Sequence, residues 1–306
     1  MNDTLAISLH GLTKSFAEQP AVEDLSFGLA RGTVTGFVGP NGAGKSTTIR
    51  MLLGLIQPSA GTATVLGHPI GRPREYLSRV GALVEAPAFY PQLSGYRNLL
   101  VLTRLARLPA ARIDEVLVIV GLADRGADRY KDYSLGMKQR LGIAAALLHD
   151  PELLILDEPT NGLDPAGIVE IRALLLELSD RGTSVLVSSH NLSEIQAVCH
   201  ELVLIQHGRL LWSGPIDELL ASHGATLVAA PEHATDLARL AELVTTTTGY
   251  VATSRGDRLE IRAPGSWAAE LNRQAMAAGI TLRELAMRDA NLEQTFLDLT
   301  SAGEQP

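Results

Sequence analysis

The chain has 306 residues, which leaves room for one large domain or two ordinary domains. Its composition, with 46% hydrophobic and 20% charged residues, is that of a folded protein and excludes a disordered chain. The formal net charge of −8 shows no general footprint of nucleic-acid binding, so we expect no nucleic-acid partner, although a local basic patch stays open.

Strand and helix patterns alternate through the first two thirds of the chain. Strands are predicted at residues 5–9, 22–29, 33–38, 62–66, 80–84, 153–156, 184–188 and 202–206. Helices are predicted at residues 46–56, 98–108, 113–120, 136–149, 168–179 and 192–198. This alternation indicates an α/β fold with a mostly parallel sheet that helices cover on both faces.

The pattern changes after Gly214. Short helices are predicted at residues 216–220, 235–243 and 267–278, and strands at 226–229, 244–252, 258–262 and 281–287, before a last helix at 292–299. The order βαββαβ predicts a small ferredoxin-like α+β module. We therefore predict a first domain of residues 1–214 and an accessory domain of residues 215–306, and the accessory domain shows no catalytic constellation.

Residues 39–47 fit the pattern G-x-x-x-x-G-K-[ST] without a mismatch, between a predicted strand and a predicted helix. Glycines let the backbone N–H groups turn inward and bind anionic oxygens, helped by the positive end of the helix. Lys45 would then reach the β- and γ-phosphates, and the Ser46 hydroxyl would bind Mg²⁺. The predicted nucleotide-binding residues are Gly39, Pro40, Asn41, Gly42, Ala43, Gly44, Lys45, Ser46 and Thr47. A glycine turn with a chance lysine is the alternative.

An acidic pair at the end of an apolar strand supplies the second half of this site. Asp157 ends the strand and is predicted to bind the metal, and Glu158 points elsewhere and can polarise the attacking water. His190 follows another strand, at the edge where a γ-phosphate is contacted. We therefore predict Lys45, Glu158 and His190 as catalytic. The alternative for the acidic pair, taken alone, is a strand that ends in an acidic turn, and the alternative for His190 is a structural histidine.

Residues 133–141, Tyr-Ser-Leu-Gly-Met-Lys-Gln-Arg-Leu, resemble the signature motif of the ATP-binding-cassette (ABC) ATPases. The motif lies just upstream of the acidic pair, as it does in that family. Family members usually read Leu-Ser-Gly-Gly-Gln, so Leu135 stands for a glycine here, whereas Ser134 and Gly136 are kept. A hydroxyl and a bare backbone N–H at the start of a helix can meet a γ-phosphate.

The resemblance covers about residues 5–214 and assigns further positions. Residues 161–164, Asn-Gly-Leu-Asp, are similar to the family's D-loop, which implies that Asp164 belongs to the nucleotide site. His190 is similar to the H-loop histidine. Phe16 stands where the family places an aromatic ring against adenine, and a core position is the alternative for this residue.

One departure from the family pattern narrows the resemblance to a subgroup of the family. The family normally has Gln after the strand at residues 80–84, and this chain has Glu85, which the resemblance places at Mg²⁺ and its water. In this respect residues 81–90 are similar to bacterial exporters that protect against lantibiotics and bacitracin-like peptides. Residues 292–300 also resemble the end of such export ATPases. The alternative is that Glu85 is a functionally neutral replacement of Gln in an ordinary ABC cassette.

The resemblance implies an ATPase subunit of an ABC transporter, most plainly an exporter of a drug or a peptide antibiotic. It implies two such subunits that sandwich two ATP molecules, each between the P-loop of one chain and Ser134–Gly136 of the other. Separate integral membrane subunits would be driven by this dimer, and residues 87–97 would receive them through Phe89, Tyr90, Leu93 and Tyr96. The alternative is that these four side chains form a core.

No basic stretch precedes an apolar stretch at the start of the sequence, and no apolar run approaches the roughly 20 residues that span a bilayer. We therefore expect a cytoplasmic protein, peripheral on the inner face of the cell membrane. Cys199, the single cysteine, is expected to be a small buried side chain. Two rival functions are another P-loop NTPase, for which an Asn-Lys-x-Asp motif is missing, and a soluble cassette that acts on ribosomes or nucleic acid.

Overall fold

The computed structural model describes residues 4–17, 19–84, 88–223, 226–248, 250–288 and 291–302. Contacts between residues divide the chain into two compact units, Met1–Ile216 and Asp217–Pro306. Among the described residues, none of the helices combines the length and the apolar character that crossing a bilayer requires.

The first unit begins with strands and then alternates strands with helices. Its elements are β1 (Leu5–Phe16), β2 (Gln19–Ala30), β3 (Val34–Val38), α1 (Lys45–Leu52), β4 (Ala60–Val65), β5 (His68–Pro69), β6 (Val80–Leu83), α2 (Gly95–Ala106), α3 (Ala111–Ile119), α4 (Leu135–Leu147), β7 (Leu153–Asp157), α5 (Pro165–Asp180), β8 (Ser184–Ser189), α6 (Leu192–Gln196), β9 (Glu201–Gln206) and β10 (Arg209–Pro215). The helix α7 (Ile216–His223) follows at the boundary between the units.

The central sheet of the first unit is mostly parallel, as the sequence predicts. Its strand order is β10-β9-β3-β8-β7-β6, with β10 alone antiparallel to its neighbour. A second sheet, in the order β2-β1-β4-β5, is antiparallel. Because parallel strands end at one edge, the segments that follow β3, β7 and β8 meet there.

Burial explains why β3 runs through the middle of this sheet. All five of its residues are buried, between β8 and β9. Gly36 fits because a Cβ at this position would lie 2.4 Å from Ile195 Cγ2. The core around β3 includes Phe37, and α1 adds Ile49 and Leu52, which are fully buried. Each such aliphatic side chain stabilises the fold by about 1.5–3 kcal/mol.

The first unit differs from the sequence prediction in several places, including the end of α1 and the strand β10. The helix α1 ends at Leu52 instead of residue 56, because Gly54 adopts a left-handed conformation with a φ of 68°. The strand β10 is not among the predicted strands, and a turn at Gly208 joins it to β9 as a hairpin.

The second unit has the predicted βαββαβ order. Its elements are β11 (Thr226–Pro231), α8 (Leu237–Thr248), β12 (Ala252–Arg255), β13 (Arg258–Ile261), α9 (Ala268–Ala277), β14 (Leu282–Arg288) and α10 (Leu292–Ala302). The strands form an antiparallel sheet in the order β12-β13-β11-β14. Its core includes the fully buried side chains of Leu227, Leu240 and Leu271.

The predicted strand over residues 244–252 is wrong for every described residue before Ala252. Residues 244–248 continue α8, and only Ala252 begins a strand. Val244 is fully buried in the core of this unit. The threonines tolerate the helix because the Thr245 hydroxyl donates to the carbonyl of Ala241 at 3.0 Å and the Thr246 hydroxyl to that of Glu242 at 2.6 Å.

Candidate functional site

A glycine-rich loop, residues 39–44, connects β3 to α1. Gly44 precedes the helix with a φ of 102°, and no side chain among the described residues caps that helix end. A Cβ at Gly39 would lie 2.3 Å from the carbonyl oxygen of Ile205, so only glycine fits there. The N–H groups of the first turn of α1 are therefore available to an anionic ligand, and the helix dipole favours it.

A cleft of about 480 Å³ opens over this loop, a volume in the range of ligand pockets. The predicted residues that line it are Phe16, Pro40, Asn41, Gly42, Ala43, Gly44, Lys45, Ser46, Thr47, Glu158 and His190. Ala21 and Asn161 also line the cleft and were missed by the sequence analysis. Nothing in the local sequence marks Ala21, whereas Asn161 begins the D-loop segment and could have been included on that ground.

Lys45 is buried at the floor of the cleft, with 6% of its side chain exposed. Its ammonium group donates to the carbonyl of Gly39 at 2.6 Å and lies 3.4 Å from Oε1 of Glu158. A phosphate that entered the cleft would compete with this carboxylate for the same cation. The structure thus brings together two of the residues that the sequence predicts as catalytic.

Ser46 and Asp157 are in direct contact, although 111 positions separate them in the sequence. The Ser46 hydroxyl donates to Oδ2 of Asp157 at 2.7 Å, and the Ser188 hydroxyl donates to Oδ1 at 2.5 Å. Within the described part of the chain, no cluster of three or more His, Cys, Asp or Glu side chains could hold a metal. One carboxylate and one hydroxyl nevertheless suit Mg²⁺, which usually takes few protein ligands together with phosphates and water.

Glu158 is oriented from several sides. Its Oε2 lies 2.8 Å from Nδ1 of His190, and its backbone N–H donates to the Ser188 hydroxyl at 3.0 Å. An ionised carboxylate only accepts hydrogen bonds, so Nδ1 of His190 carries the hydrogen in this contact. The backbone of Glu158 has a φ of 51°, a left-handed conformation that is uncommon for a residue other than glycine. Adjacent acidic residues therefore serve different partners.

Ser188 is a residue that the sequence analysis did not single out. It is fully buried at the end of β8, opposite Asp157 in the register between β7 and β8. Its hydroxyl donates to the Asp157 carboxylate and accepts from the Glu158 backbone, so it positions both acidic residues. A polar residue near the end of an apolar strand, two positions before His190, is a signal for the position but not for its partners.

The signature residues lie apart from the cleft. Ser134 precedes α4, and its hydroxyl accepts from the N–H of Met137 at 3.2 Å. Ser134 and Gly136 line a separate depression of about 520 Å³ together with Asp164. The Asp164 carboxylate accepts from the N–H of Gly167 at 3.0 Å and caps α5. The structure thus groups Asp164 with the signature residues.

Phe16 and Glu85 complete the predicted nucleotide-binding set. Phe16 ends β1, lines the cleft and is 53% exposed, with the ammonium group of Lys14 at 5.1 Å from the ring centroid. This placement offers an aromatic surface at the rim of the cleft. Glu85 lies outside the described residues.

The segment predicted to receive membrane subunits is partly exposed. Tyr90 is 63% exposed, and its backbone is held by the Asn98 side chain through hydrogen bonds of 2.8 and 3.1 Å. Phe89 packs edge-on against Tyr130, with 5.2 Å between ring centroids. Leu93 and Tyr96 are of intermediate exposure. The ring of Tyr90 is therefore accessible, and the ring of Phe89 is partly buried against Tyr130.

Cys199 is buried, and burial raises the pKa of its thiol to about 12. The thiol therefore stays protonated near neutral pH and is a poor nucleophile.

Comparison with known proteins agrees with this geometry. Residues 22–161 match the family described as ABC transporter. The chain is 36% identical over 300 residues to the bacitracin transport ATP-binding protein BcrA of Enterococcus faecalis, with 97% of each chain covered. It is 37% identical over 310 residues to the daunorubicin resistance ATP-binding protein DrrA3 of Streptomyces coeruleorubidus, with 98% of this chain and 97% of the relative covered.

Solved structures are similar to the cassette part of the chain. The structure of cbiO1 from Clostridium perfringens, described as part of the ABC transporter complex cbiONQ, has a TM-score of 0.65 and 27% identity, and the match covers 71% of this chain and 91% of that one. These relatives favour a transporter subunit over the two rival functions. The chain belongs to the ABC transporter family, as an ATP-binding subunit that hydrolyses ATP.

Proposed function

We propose that this subunit powers the export of a drug or a peptide antibiotic through separate integral membrane subunits, from the inner face of the cell membrane. The observation that carries the proposal is the extent of the similarity to BcrA and DrrA3. Because 97% or more of this chain is covered in both cases, the second unit is included as well as the cassette. A shared ATPase motif alone would leave the cargo class open.

Two subunits act together in this proposal. Ser134 and Gly136 lie at the start of α4, outside the cleft that holds Lys45. If they bind a γ-phosphate, as the family resemblance implies, the phosphate belongs to a nucleotide on a second subunit. ATP then closes the dimer, and hydrolysis removes the phosphate that bridges it.

Mg²⁺ accompanies ATP in this proposal. Ser46 and Asp157 offer the oxygen ligands, and Glu85 acts through a water molecule. When bound, the metal would neutralise negative charge that develops on the phosphates. The hydrogen bond between Ser46 and Asp157 already holds the two ligands side by side.

In this proposal, the other residues of the cleft have separate roles in ATP binding and hydrolysis. ATP phosphates attract Lys45 away from Glu158, which lies 3.4 Å from its ammonium group, and the Glu158 carboxylate is then free to accept a proton from water. His190 and Ser188 hold Glu158 in place during this step. Phe16 stacks on the adenine ring at the rim of the cleft.

A crosslinking experiment in membranes tests the proposed partners. Because Cys199 is buried and unreactive, a Tyr90→Cys substitution introduces the only accessible thiol that a short bifunctional reagent can use. We expect the subunit to crosslink to an integral membrane protein. Leu55→Cys is the matched control, since Leu55 is 65% exposed but lies outside residues 87–97. Recovery with ribosomes or nucleic acid only would contradict the proposal.

A tolerance assay tests the cargo. Sensitive cells that express the subunit with its membrane partners should grow at higher concentrations of bacitracin or daunorubicin than cells that express the Lys45→Ala variant. Equal tolerance to both compounds in the two strains would contradict this cargo class, even where crosslinking to a membrane partner succeeds.

A further inference from the structure

The start of α4 and the D-loop, residues 161–164, are in contact within one subunit. Gly162 has a φ of 76°, and a Cβ at this position would lie 2.9 Å from Cδ2 of Leu135. Leu163 approaches in return, since a Cβ at Gly136 would lie 3.9 Å from Cδ2 of Leu163. The leucine of each segment therefore covers a glycine of the other.

Hydrogen bonds attach the D-loop to the catalytic glutamate. The N–H of Asn161 donates to the carbonyl of Glu158 at 3.2 Å, and the N–H of Leu163 donates to that of Thr160 at 3.1 Å. The Thr160 hydroxyl donates to the Glu194 carboxylate at 2.6 Å, which fixes the other side of the turn. These hydrogen bonds connect the segment around Gly162 to Asn161, which lines the cleft, and to the backbone of Glu158.

The Leu135 side chain has no role in the cleft or in the main core. It is 49% exposed and lines the depression that holds the signature residues. The family usually has glycine here, and glycine could make no side-chain contact with Gly162. Leu135 thus adds a connection between the signature and the D-loop that the usual signature motif does not contain.

We propose that Leu135 is a positioning residue for ATP hydrolysis. Its side chain fixes Gly162 against the start of α4, and so links the segment that carries Ser134 and Gly136 to the segment that follows Glu158. The inference rests on the proposed function, in which the signature serves the nucleotide of a second subunit. Leu135 would then connect the two ATP sites through a single chain.

The first test separates catalysis from binding. Leu135→Ala removes the contact with Gly162, and we expect kcat to fall about tenfold, since a displacement on the order of 1 Å can cost as much as a hundredfold. Equilibrium binding of ATP should stay unchanged. Leu135→Met should retain most of the activity because its volume is similar. Leu105→Ala, a substitution of a leucine that is 77% exposed on α2, should leave kcat unchanged.

A double-mutant cycle then identifies the contact. Gly162→Ala brings a methyl group against Leu135 and also strains the backbone at its positive φ. The backbone part is the same in any background, whereas the steric part disappears when residue 135 is alanine. Gly162→Ala should therefore reduce kcat less in the Leu135→Ala protein than in the wild type, and thermal unfolding of every variant shows that it is folded.

Two results would overturn the proposal. One is a Leu135→Ala subunit with wild-type kcat, and the other is additive effects of the two substitutions on kcat. The dimer itself is tested separately, by light scattering of the Glu158→Gln subunit in ATP. A failure of the sandwich would appear as a monomer in that measurement, whereas a failure of the Leu135 contact would appear only in the kinetic cycle.

Discussion

The molecule has two helix starts that the sequence assigns to phosphate, and they are built differently. At α1, Gly44 precedes the helix without a side-chain cap among the described residues, and the cleft holds Lys45, Asp157 and Glu158 close by. At α4, the Ser134 side chain caps its own helix and is exposed. The first start is the base of the cleft that holds a buried lysine, and the second lies in a separate depression with its capping side chain exposed.

In the proposed dimer, this difference would let one chain hold half of each of two sites. The uncapped start of α1 leaves its N–H groups to a ligand, and Lys45 supplies a cation beside them. The Ser134 oxygen accepts a hydrogen bond from Met137, yet its hydroxyl hydrogen stays available for an acceptor. The start of α4 is therefore ordered before a ligand arrives, and in the proposed dimer the phosphate would come from the nucleotide of another chain.

Among the substitutions that test this comparison of the two helix starts, Glu158→Gln should have the largest effect. Glutamine keeps the shape but is a much weaker base, so turnover should fall by about 10²–10⁴-fold while ATP still binds. Uncleaved ATP should then stabilise the closed dimer by mass action. Size-exclusion chromatography with light scattering should show a dimer in ATP and a monomer in ADP. A variant that binds ATP and stays monomeric at high concentration would contradict the two-chain site.

Ser134→Arg is the matched second substitution in this experiment. It crowds the exposed start of α4 without reaching the cleft, so the Glu158→Gln/Ser134→Arg protein should bind ATP as a monomer. Loss of ATP binding in this double variant would mean that the start of α4 belongs to the chain's own cleft.

Lys45→Ala should have the next largest effect. It removes the buried cation beside the glycine-rich loop, and the loss of a charge-assisted contact in a transition state costs about 10²–10³-fold in turnover. Phosphate release measures the effect, and Lys131→Ala, at an exposed position, serves as the control. Normal turnover without Lys45 would show that α1 is not the phosphate-binding helix.

Phe16→Ala should weaken ATP binding more modestly. Stacking of a base on an aromatic ring contributes about 1–3 kcal/mol, so the apparent KM for ATP should rise on the order of tenfold with little change in kcat. Phe16→Tyr keeps the ring and should remain close to the wild type. A KM that does not change in the alanine variant would assign the adenine to another part of the rim.

Glu85 should give the smallest effect and would add a third segment to the cleft. Glu85→Gln is expected to keep much of the ATPase activity, since both side chains offer an acceptor oxygen to a metal-bound water. Glu85→Ala should lose several-fold more, or lose the coupling of hydrolysis to transport. Equal and complete loss in both variants would mean that the charge is essential, and no loss in either would remove Glu85 from the metal site.

Local motifs predicted the cassette and the residues of its cleft because each motif combines a strand, a turn and a helix start in one short segment. The contact between Ser46 and Asp157 followed from the rule that parallel strands end at one edge of a sheet. The role of Ser188 did not follow, because it depends on the register of β8 against β7. Contacts between distant segments, such as Leu135 with Gly162, have no signal in either segment alone.

Helix and strand boundaries failed where tertiary packing or a single glycine overrode local propensity. Thr245 and Thr246 favour a strand, but their hydroxyls bond within α8, and the burial of Val244 holds that helix in place. Gly54 ends α1 four residues before the apolar pattern suggests. Such outcomes depend on the neighbouring elements, which sequence periodicity does not describe.

At Glu158, the left-handed backbone conformation lowers the stability of the fold, whereas the side chain is proposed to serve ATP hydrolysis. A residue other than glycine in this conformation costs on the order of 1 kcal/mol or more, and the surrounding hydrogen bonds must hold it there. Replacement by glycine or asparagine would relieve that strain and remove the proposed base. Selection of variants for thermal stability alone would therefore favour inactive subunits at this position, and the persistence of glutamate there would report continued selection for ATP hydrolysis.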